Sequence, residues 1–507
     1  MNAPGTRLHP PAEDGRYRDR MGAGVKGSLG SGRPSTRLPI RFLTATILVL
    51  ATALTAIASG VPSYWNDEAA TLRLARLPLD ELLAFVQHKD AVHAIYGVSM
   101  HGWILLAGES EAATRAPSAL AIGAAAAGLF VLLRELDRPR AAVSAVVVFV
   151  LLPRSTFNGV EARSSALVTA LVVWAAVLAV RAAQEGRWWR WLALAIVAGA
   201  AVAVFLYAAL VLPALVVLAV SAHRGARTAI RAVLAVITAG LLASPIALTA
   251  AGQGSQVGWL QTQPVNAWTV MVEPFFGSSW WLAALVIVLL AVGGAGAFRG
   301  ARLLVLAAAA WILVPLVTLL TTTALVTPAF TPRYLSMSSP AVAILVALVL
   351  ASWSRRMSVL VLVALVLAAL PAFVGSRLPL GKPGGQDIRG VAHVLSEKAQ
   401  PGDALLLGDK GTVSLRPRIA LAAYPKAFAP LEDIALAEPY STSGSYSDRL
   451  LDENAVLSRL QHEQRVWIVT PTGAEPSPDD AQITQAGFTR VSAQSIPTMT
   501  IALWARQ

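Results

Sequence analysis

Apolar segments of membrane-spanning length recur along most of the chain, and they restrict its fold more than any other feature. A helix needs roughly 20 apolar residues to cross the hydrocarbon core of a bilayer. Such segments lie at about 40–60, 113–133, 141–154, 164–180, 189–204, 205–221, 229–250, 279–297, 301–325, 337–352 and 357–375. Because 55% of the 507 residues are hydrophobic and only 14% are charged, against roughly a quarter in soluble domains, the sequence predicts a polytopic α-helical membrane protein with about eleven transmembrane helices.

The positive charges indicate how these helices are oriented. Eight Lys and Arg residues between Arg7 and Arg41 place the N-terminus in the cytoplasm, because basic residues favour that side of the membrane. With eleven spans, every basic connection falls on the cytoplasmic side: 134–140, 181–190, 222–227, 298–302 and 353–357. The net charge of +12 is therefore a consequence of membrane topology, and we predict no nucleic-acid partner.

The remaining connections then lie outside the cell, together with the end of the chain. They are 61–112, 154–163, the turn near 205, 251–278, 326–336 and everything after 376. This orientation depends on 189–221 containing two spans, for which Tyr207 and Pro213 are the only turn signals, and a single tilted helix would reverse everything downstream. We interpret the apolar segment 90–110, interrupted by His93 and His101, as a helix lying in the outer interface.

Composition divides the chain into three parts. Residues 1–38 are rich in Gly, Pro, Ser and Arg and predict a disordered basic cytoplasmic tail. Residues 39–376 form the transmembrane domain, and the first apolar run is interpreted as a retained anchor in the plasma membrane. Residues 377–507 predict a small extracytoplasmic α/β domain, in which GKPGGQ is a linker, DIRGVAHVLSEK a helix, and ALLLGD and RVWIVTP buried strands.

Charged residues gather in the outer loops. Asp67, Glu68, Lys89, Asp90 and His93 lie in the first loop, Glu161 and Arg163 close the second, and Arg333 and Tyr334 close a later one. Ionisable groups at membrane depth are costly and are often functional or paired. Together they favour transfer of a group from a phosphate-linked lipid, with Asp67 taking a proton from the acceptor hydroxyl and Lys89 and Arg333 neutralising the departing phosphate.

Each of these residues also has a structural explanation. Asp67 and Glu68 can be partners of a helix dipole, and Glu161 can simply pair with Arg163 or Arg154. Lys89 can reach along the interface, and Arg333 can anchor a lipid headgroup. Histidines such as His93 more often pack or form hydrogen bonds than bind ligands, and the loop GDKGT at 408–412, with Asp409 and Lys410, lacks the spacing of a nucleotide-binding loop.

Four stretches in order resemble the GT-C superfamily of glycosyltransferases. They are SYWNDEAATLRLA, HKDAVHAIYGVSMHGWILLAGESEAATRAPSALA, FNGVEARSSALVTALVVWA and FTPRYLSMSSPAVAIL, within residues 40–375. The chain is most similar to protein O-mannosyltransferases and aminoarabinose transferases, in an actinobacterial mannosyltransferase-like subset. It departs from the aminoarabinose branch where Asp90, rather than a proline, follows Lys89.

The resemblance implies transfer of a mannose-like sugar from a polyprenyl-phosphate donor to a hydroxyl of a glycan, glycolipid or protein, with inversion. It implies catalytic roles for Asp67, Glu68 and Glu161, and donor-phosphate contacts for Lys89, Arg333 and Tyr334. Asp90, His93, Tyr96 and Arg163 are candidates for the substrate cleft. No cofactor is certain, although Asp67, Glu68 and Glu161 could share a divalent cation such as Mg²⁺ or Mn²⁺.

Two other functions remain open. A transporter or flippase for lipid-linked sugars would place its acidic residues mid-membrane and show internal symmetry, whereas here the acids lie in outer loops. A non-catalytic cell-envelope assembly protein would use its outer domain to bind a partner. Such a protein would tolerate Asp67→Asn.

Overall fold

The computed structural model of the protein describes residues 39–408, 413–443, 445–474, 476 and 478–506. The predicted tail at 1–38 lies outside these ranges, and so do Asp409 and Lys410 of the GDKGT loop. The described residues from Arg41 onwards form one compact unit.

Helices joined mostly by short loops build the membrane part of the chain. Their bounds are α1 Ile40–Ala56, α2 Asn66–Arg76, α3 Leu79–His88, α4 Ala94–Ala107, α5 Glu111–Glu135, α6 Pro139–Leu151, α7 Pro153–Gly159, α8 Ser165–Glu185, α9 Trp188–Val204, α10 Leu212–Ala222, α11 Ala226–Ala251, α12 Ala267–Met271, α13 Glu273–Phe276, α14 Trp280–Arg299, α15 Arg302–Leu325, α16 Ser339–Ser352 and α17 Arg355–Gly375. Each of the eleven predicted apolar segments coincides with a helix. The predicted membrane-helical fold is confirmed.

The number of helices that cross the bilayer is bounded by their length. In the described part of the chain, seven helices are long and apolar enough to span a membrane, and an eighth span results if α6 and α7, bent by 65°, count as one. Helices α1, α9 and α10 are shorter and apolar. The count of eleven therefore stays a prediction.

Small residues allow the central helices to approach closely. Helix α5 is buried along most of its length and packs against α8. A Cβ atom on Gly123 would lie 2.0 Å from Thr52 Oγ1 of α1, and one on Gly128 would lie 2.9 Å from Val173 of α8. Because real Cβ atoms do not approach so closely, glycine at these two positions sets the spacing of the three helices.

The segment 189–221 forms two helices. The backbone of Phe205 is extended and ends α9, a 3-10 helix follows at Leu206–Val211, and α10 begins at Leu212. Phe205 and Tyr207 line the same cavity as Ser165 at the start of α8 and Ala250 near the end of α11. The chain therefore leaves the cavity along α8, returns along α9, leaves along α10 and returns along α11, as the two-span interpretation requires.

All basic connections lie at the opposite end of the helical bundle, which we call the basic end. Arg181 pairs with Glu135 at 2.8 Å, Arg138 donates to the carbonyl of Gly300 at 2.6 Å, and Arg231 donates to the carbonyl of Gly186. The other end, which holds the cavity, is called the cavity end. Charged outer loops that are far apart in sequence therefore meet at one end of the molecule.

The C-terminal residues form the predicted α/β domain. Its elements are α18 Ile388–Lys398, β1 Ala404–Leu407, α19 Arg418–Ala423, α20 Pro425–Phe428, β2 Glu432–Asp433, β3 Leu436–Glu438, α21 Tyr440–Ser443, β4 Arg449–Leu450, α22 Glu453–Leu460, β5 Arg465–Pro471, α23 Asp480–Gln485, β6 Phe488–Ile496 and β7 Met499–Arg506. The main sheet has the order β2-β1-β5-β7-β6, with β1 parallel to β2 and β5 and with β7 antiparallel to β5 and β6. Strands β3 and β4 pair separately.

This domain packs against the first outer loop and is not a loose appendage. Tyr64, Ala69 and Leu72 belong to the same buried core as Ile388 of α18 and Leu405 of β1. Tyr424 donates to Glu111 at the start of α5, at 2.6 Å. The domain and helix α2 therefore share a core, and the domain can form part of the cavity.

Candidate active site

A large cavity opens between the outer loops and the C-terminal domain. Its volume is about 2200 Å³, and residues from nearly every loop at the cavity end line it. Among the described residues, eight cationic side chains line it against five carboxylates; the cations are Arg73, Lys89, Arg154, Arg163, Arg333, Lys382, Arg416 and Arg418, and the acids are Asp67, Asp90, Glu161, Glu273 and Asp448. This excess of positive charge suits an anionic ligand.

Asp67 and Arg333 meet inside the cavity although 266 residues separate them. The Arg333 guanidinium donates from Nη1 to Asp67 Oδ2 and stacks over Trp259, 4.6 Å from the ring centre. Arg163 donates to the backbone oxygen of Asp67 at 3.4 Å. Burial alone would raise the pKa of Asp67, but the charges of Arg163 and Arg333 hold it below its ordinary value. Asp67 is therefore a persistent negative charge.

Glu68, the neighbour of Asp67, turns away from the cavity. Its side chain is fully buried and accepts two hydrogen bonds of 2.7 Å from Arg115, whose side chain is also fully buried. The amide of Ala162 donates to the same carboxylate at 2.9 Å. Burial would raise the pKa of Glu68, but Lys382 and Arg115 keep it low. Glu68 therefore ties the first outer loop to the second, and its catalytic role stays a prediction.

Glu161 lies on the cavity wall with a different environment. Glu161 is only 6% exposed. Among the described residues, none forms a hydrogen bond or salt bridge with its carboxyl group. Burial raises the pKa of Glu161 to about 7, against the opposing charge of Lys382. Its backbone carbonyl oxygen accepts from Ser118 Oγ at 2.6 Å and from the Arg163 amide at 2.9 Å. In the part of the site that the structure describes, Glu161 is thus a buried carboxyl group without a hydrogen-bond or salt-bridge partner.

Lys89, Asp90 and His93 follow one another along the cavity rim. Lys89 donates to Ser445 Oγ of the C-terminal domain at 3.1 Å. Asp90 adopts a left-handed backbone conformation with φ 61°, which turns the chain between α3 and α4. Arg163 donates to His93 Nε2 at 3.0 Å, and burial together with Arg163 lowers the pKa of His93 to about 4. His93 is therefore a neutral acceptor near pH 7.

Two predicted tyrosines occupy different places. Tyr334 lines the cavity and packs against Tyr207 and Phe205, with ring centres 4.9 and 5.5 Å apart. Tyr96 is 5% exposed and packs with Met100 and Ile104 in a small core beside the cavity. Apolar packing therefore holds this ring outside the lining of the cavity, and its role in the substrate cleft stays a prediction.

A divalent cation does not fit the three predicted carboxylates. The carboxylate of Asp67 forms a salt bridge with Arg333, and that of Glu68 forms one with Arg115. Glu68 also lies outside the cavity. Over the described ranges, no group of three or more His, Cys, Asp or Glu side chains is arranged to hold a metal ion.

Sequence reasoning did not identify Lys382, Arg115 or Trp259. An arginine inside the start of an apolar helix is a signal that would have selected Arg115. Lys382 gave no comparable signal, because it stands in a glycine-rich stretch interpreted as a linker. Instead that stretch is a tight turn, in which Gly384 and Gly385 have φ of 82° and 59°.

Comparisons with known proteins agree with this fold. Residues 99–250 match the sequence model of the dolichyl-phosphate-mannose-protein mannosyltransferase family. ArnT from Cupriavidus metallidurans bound to undecaprenyl phosphate is similar in structure, with a TM-score of 0.58 and 13% identity over 91% of this chain and 98% of ArnT. The apo state of that protein gives a TM-score of 0.57 at the same identity and coverage. No curated protein matches the chain in sequence.

The likeness to ArnT shows a shared fold along nearly the whole of both chains. Together with the family match, it confirms the predicted resemblance to GT-C glycosyltransferases. The findings support a multi-pass membrane glycosyltransferase.

Proposed function

We propose that the protein transfers a sugar from a polyprenyl-phosphate donor to an acceptor hydroxyl at the outer face of the plasma membrane, with inversion at the anomeric carbon. The observation that carries this proposal is the cavity in which Asp67, Glu161, Arg163 and Arg333 meet at one end of the bundle. All five basic connections lie at the other end, which favours an outward-facing cavity.

The donor assignment rests on charge and on the related structure. Lys89 and Arg333 bring cationic side chains to the cavity from two different outer loops, and Arg can bind a phosphate through two parallel hydrogen bonds. ArnT, which shares the fold, binds undecaprenyl phosphate. Aromatic side chains such as Trp259 and Tyr334 line the same space and can pack against a sugar or an isoprenoid.

The reaction needs a proton acceptor and stabilisation of the leaving group. The acceptor oxygen attacks the anomeric carbon on the face opposite the phosphate, and the electron pair of the broken bond stays on the phosphate oxygen. Fixed cations stabilise the charge that develops there. Asp67 of the first outer loop and Glu161 of the second both line the cavity, and Asp67 also keeps Arg333 in place.

A genetic comparison tests the proposal. The sugar content of extracted glycoconjugates is measured in the parent strain, in a strain lacking the gene and in one carrying Asp67→Ala. We expect the same loss of one sugar in the deletion strain and in the Asp67→Ala strain, with normal protein levels in the latter. An unaffected Asp67→Ala strain contradicts the proposed enzyme and favours a non-catalytic assembly protein.

The position of the acids argues against a transporter of lipid-linked sugars. Such a protein needs polar groups near the middle of the membrane. Here Asp67, Glu161 and Glu273 all line a cavity at one end of the bundle. A mannose-like sugar is proposed on the strength of the family match over 99–250.

A further inference from the structure

Lys382 is a buried lysine that reaches the active site from the turn joining the two domains. Lys382 is only 4% exposed, yet it lines the cavity. The ammonium group donates to the carbonyl of Val160, the residue before Glu161, and lies 3.8 Å from Glu68 Oε1. It also lies 4.8 Å from the ring centre of Phe157. A buried lysine with these contacts is held in one place.

The local chain is shaped to direct this lysine inward. A Cβ atom on Gly381 would lie 2.4 Å from the carbonyl oxygen of Gly375 and 2.9 Å from the backbone of Ser376. The chain therefore folds directly back on the end of α17 at a position that only glycine allows. The Gly385 amide donates to the Lys382 carbonyl at 3.0 Å and closes the turn. Lys382 is placed by backbone packing and not by a flexible linker.

Glu161 is the residue after Val160, and within the described ranges its carboxyl group has no hydrogen-bond or salt-bridge partner. Glu161 follows the carbonyl that Lys382 binds, faces the cavity and is buried. The charged or titratable groups that act on it are Lys382, Asp67, Glu68, Arg163, Arg154 and Tyr96. The two acids oppose ionisation of Glu161 and, among the cations, Lys382 has the largest favourable effect.

We propose that Glu161 is the proton acceptor of the transfer reaction and that Lys382 is a positioning residue that keeps Glu161 ionised. This inference rests on the proposed glycosyltransferase function. The acceptor oxygen bonds to the anomeric carbon, the carbon–oxygen bond to the phosphate breaks with its electron pair on the phosphate, and the proton of the acceptor hydroxyl moves to Glu161. Asp67 stays ionised and holds Arg333.

The electrostatics agree with this division of roles. A base acts best when its pKa lies near the working pH, and burial raises the pKa of Glu161 to about 7. Burial lowers the pKa of Lys382 to about 8. Glu161 can therefore take up and release a proton near neutral pH, whereas the arginines beside Asp67 hold its pKa below the ordinary value.

Infrared titration of the purified protein tests the pairing without substrate. The difference between wild type and Glu161→Gln isolates the absorption of the protonated Glu161 carboxyl group. We expect its midpoint near pH 7 in wild type, a midpoint higher by about one to three pH units in Lys382→Met, and little change in Lys382→Arg. The exposed Lys426→Met serves as the matched control. A Lys382→Met midpoint equal to that of wild type overturns the proposal.

Sugar transfer provides the second measurement. Purified protein is added to membranes from a strain lacking the gene, which supply donor and acceptor, and transfer is measured against pH. Activity should rise through about pH 7 in wild type, and the rise should move to higher pH in Lys382→Met and be restored in Lys382→Arg. A transfer profile unchanged in Lys382→Met contradicts the positioning role. A midpoint that is shifted in Lys382→Met, together with a wild-type protein that transfers no sugar, supports the pairing and contradicts the proposed function.

Discussion

The first and second outer loops both bring carboxylates to the cavity end, but the positive charges that balance these carboxylates are arranged differently in the two loops. In the first loop, Asp67 forms a salt bridge with Arg333 and Glu68 forms one with Arg115. In the second loop, no hydrogen bond or salt bridge within the described residues ends on Glu161, and Lys382 acts on it from the adjoining turn. The comparison teaches that the bonded partners, and not the presence of an acidic pair, distinguish a structural carboxylate from one free to exchange a proton.

The substitution with the largest expected effect on catalysis is Glu161→Gln. It removes the proposed proton acceptor and keeps the shape of the side chain, so we expect transfer to fall by about 10² to 10⁴-fold. The dependence on pH around neutrality should disappear with it. The rate of sugar transfer across pH checks both results. Full activity in Glu161→Gln would remove the difference between the two loops.

Breaking the buried pair of the first loop should affect folding. Glu68→Gln or Arg115→Met leaves one buried charge without its partner, which costs about 3–5 kcal/mol. Chemical denaturation of the purified protein measures this loss in the free energy of unfolding. The double variant should lose less than the sum of the two single variants, because neither charge is then stranded. Additive losses would show that the two residues do not form the pair described here.

Asp67→Asn should reduce transfer while leaving the fold intact. It removes the charge that holds Arg333, and loss of one such electrostatic contact lowers turnover by about 10²-fold. Because the Arg333 side chain is 34% exposed, its salt bridge with Asp67 adds little stability, and the free energy of unfolding should change little. Turnover and thermal unfolding are measured on the same preparation. A strongly destabilised Asp67→Asn protein would place Asp67 with Glu68 as a structural residue.

The smallest expected effect concerns His93. Its pKa of about 4, against 6.5 in the unfolded chain, is depressed by burial and by Arg163. Between these values the unfolded state binds more protons, so stability should decrease as pH falls from about 6.5 to about 4. The substitution His93→Gln should remove part of this decrease in stability. It should not change how stability depends on pH near neutrality. Thermal unfolding across this range measures it, with the exposed His462→Gln as control; identical profiles for both variants would contradict the buried, neutral state of His93.

The fold was largely predictable because its main signals are local in sequence. Uninterrupted apolar segments mark helices such as α5 and α8, and short apolar runs between turns mark β1 and β5. The convergence of Asp67, Glu161 and Arg333 also followed, since charge patterning alone places their loops at one end of the bundle.

The partners of these side chains were not predictable in the same way. Glu68 is 47 residues from Arg115, and Lys382 is 222 residues from Val160. Nothing in the local pattern distinguishes Glu68 from Asp67, although helix α2 turns one towards the cavity and the other into the core. The backbone crowding at Gly381, which directs Lys382 inward, arises only after α17 and the turn have packed together.

Labelling of single cysteines tests the central claim, that the cavity end faces outward. The chain contains no cysteine, so Ser447→Cys, at the exposed rim of the cavity, and Arg224→Cys, in an exposed connection at the basic end, introduce unique thiols. A membrane-impermeant maleimide is applied to intact and to permeabilised cells. We predict labelling of Ser447→Cys in intact cells and of Arg224→Cys only after permeabilisation. The reverse pattern would put the cavity in the cytoplasm and contradict sugar transfer at the outer face.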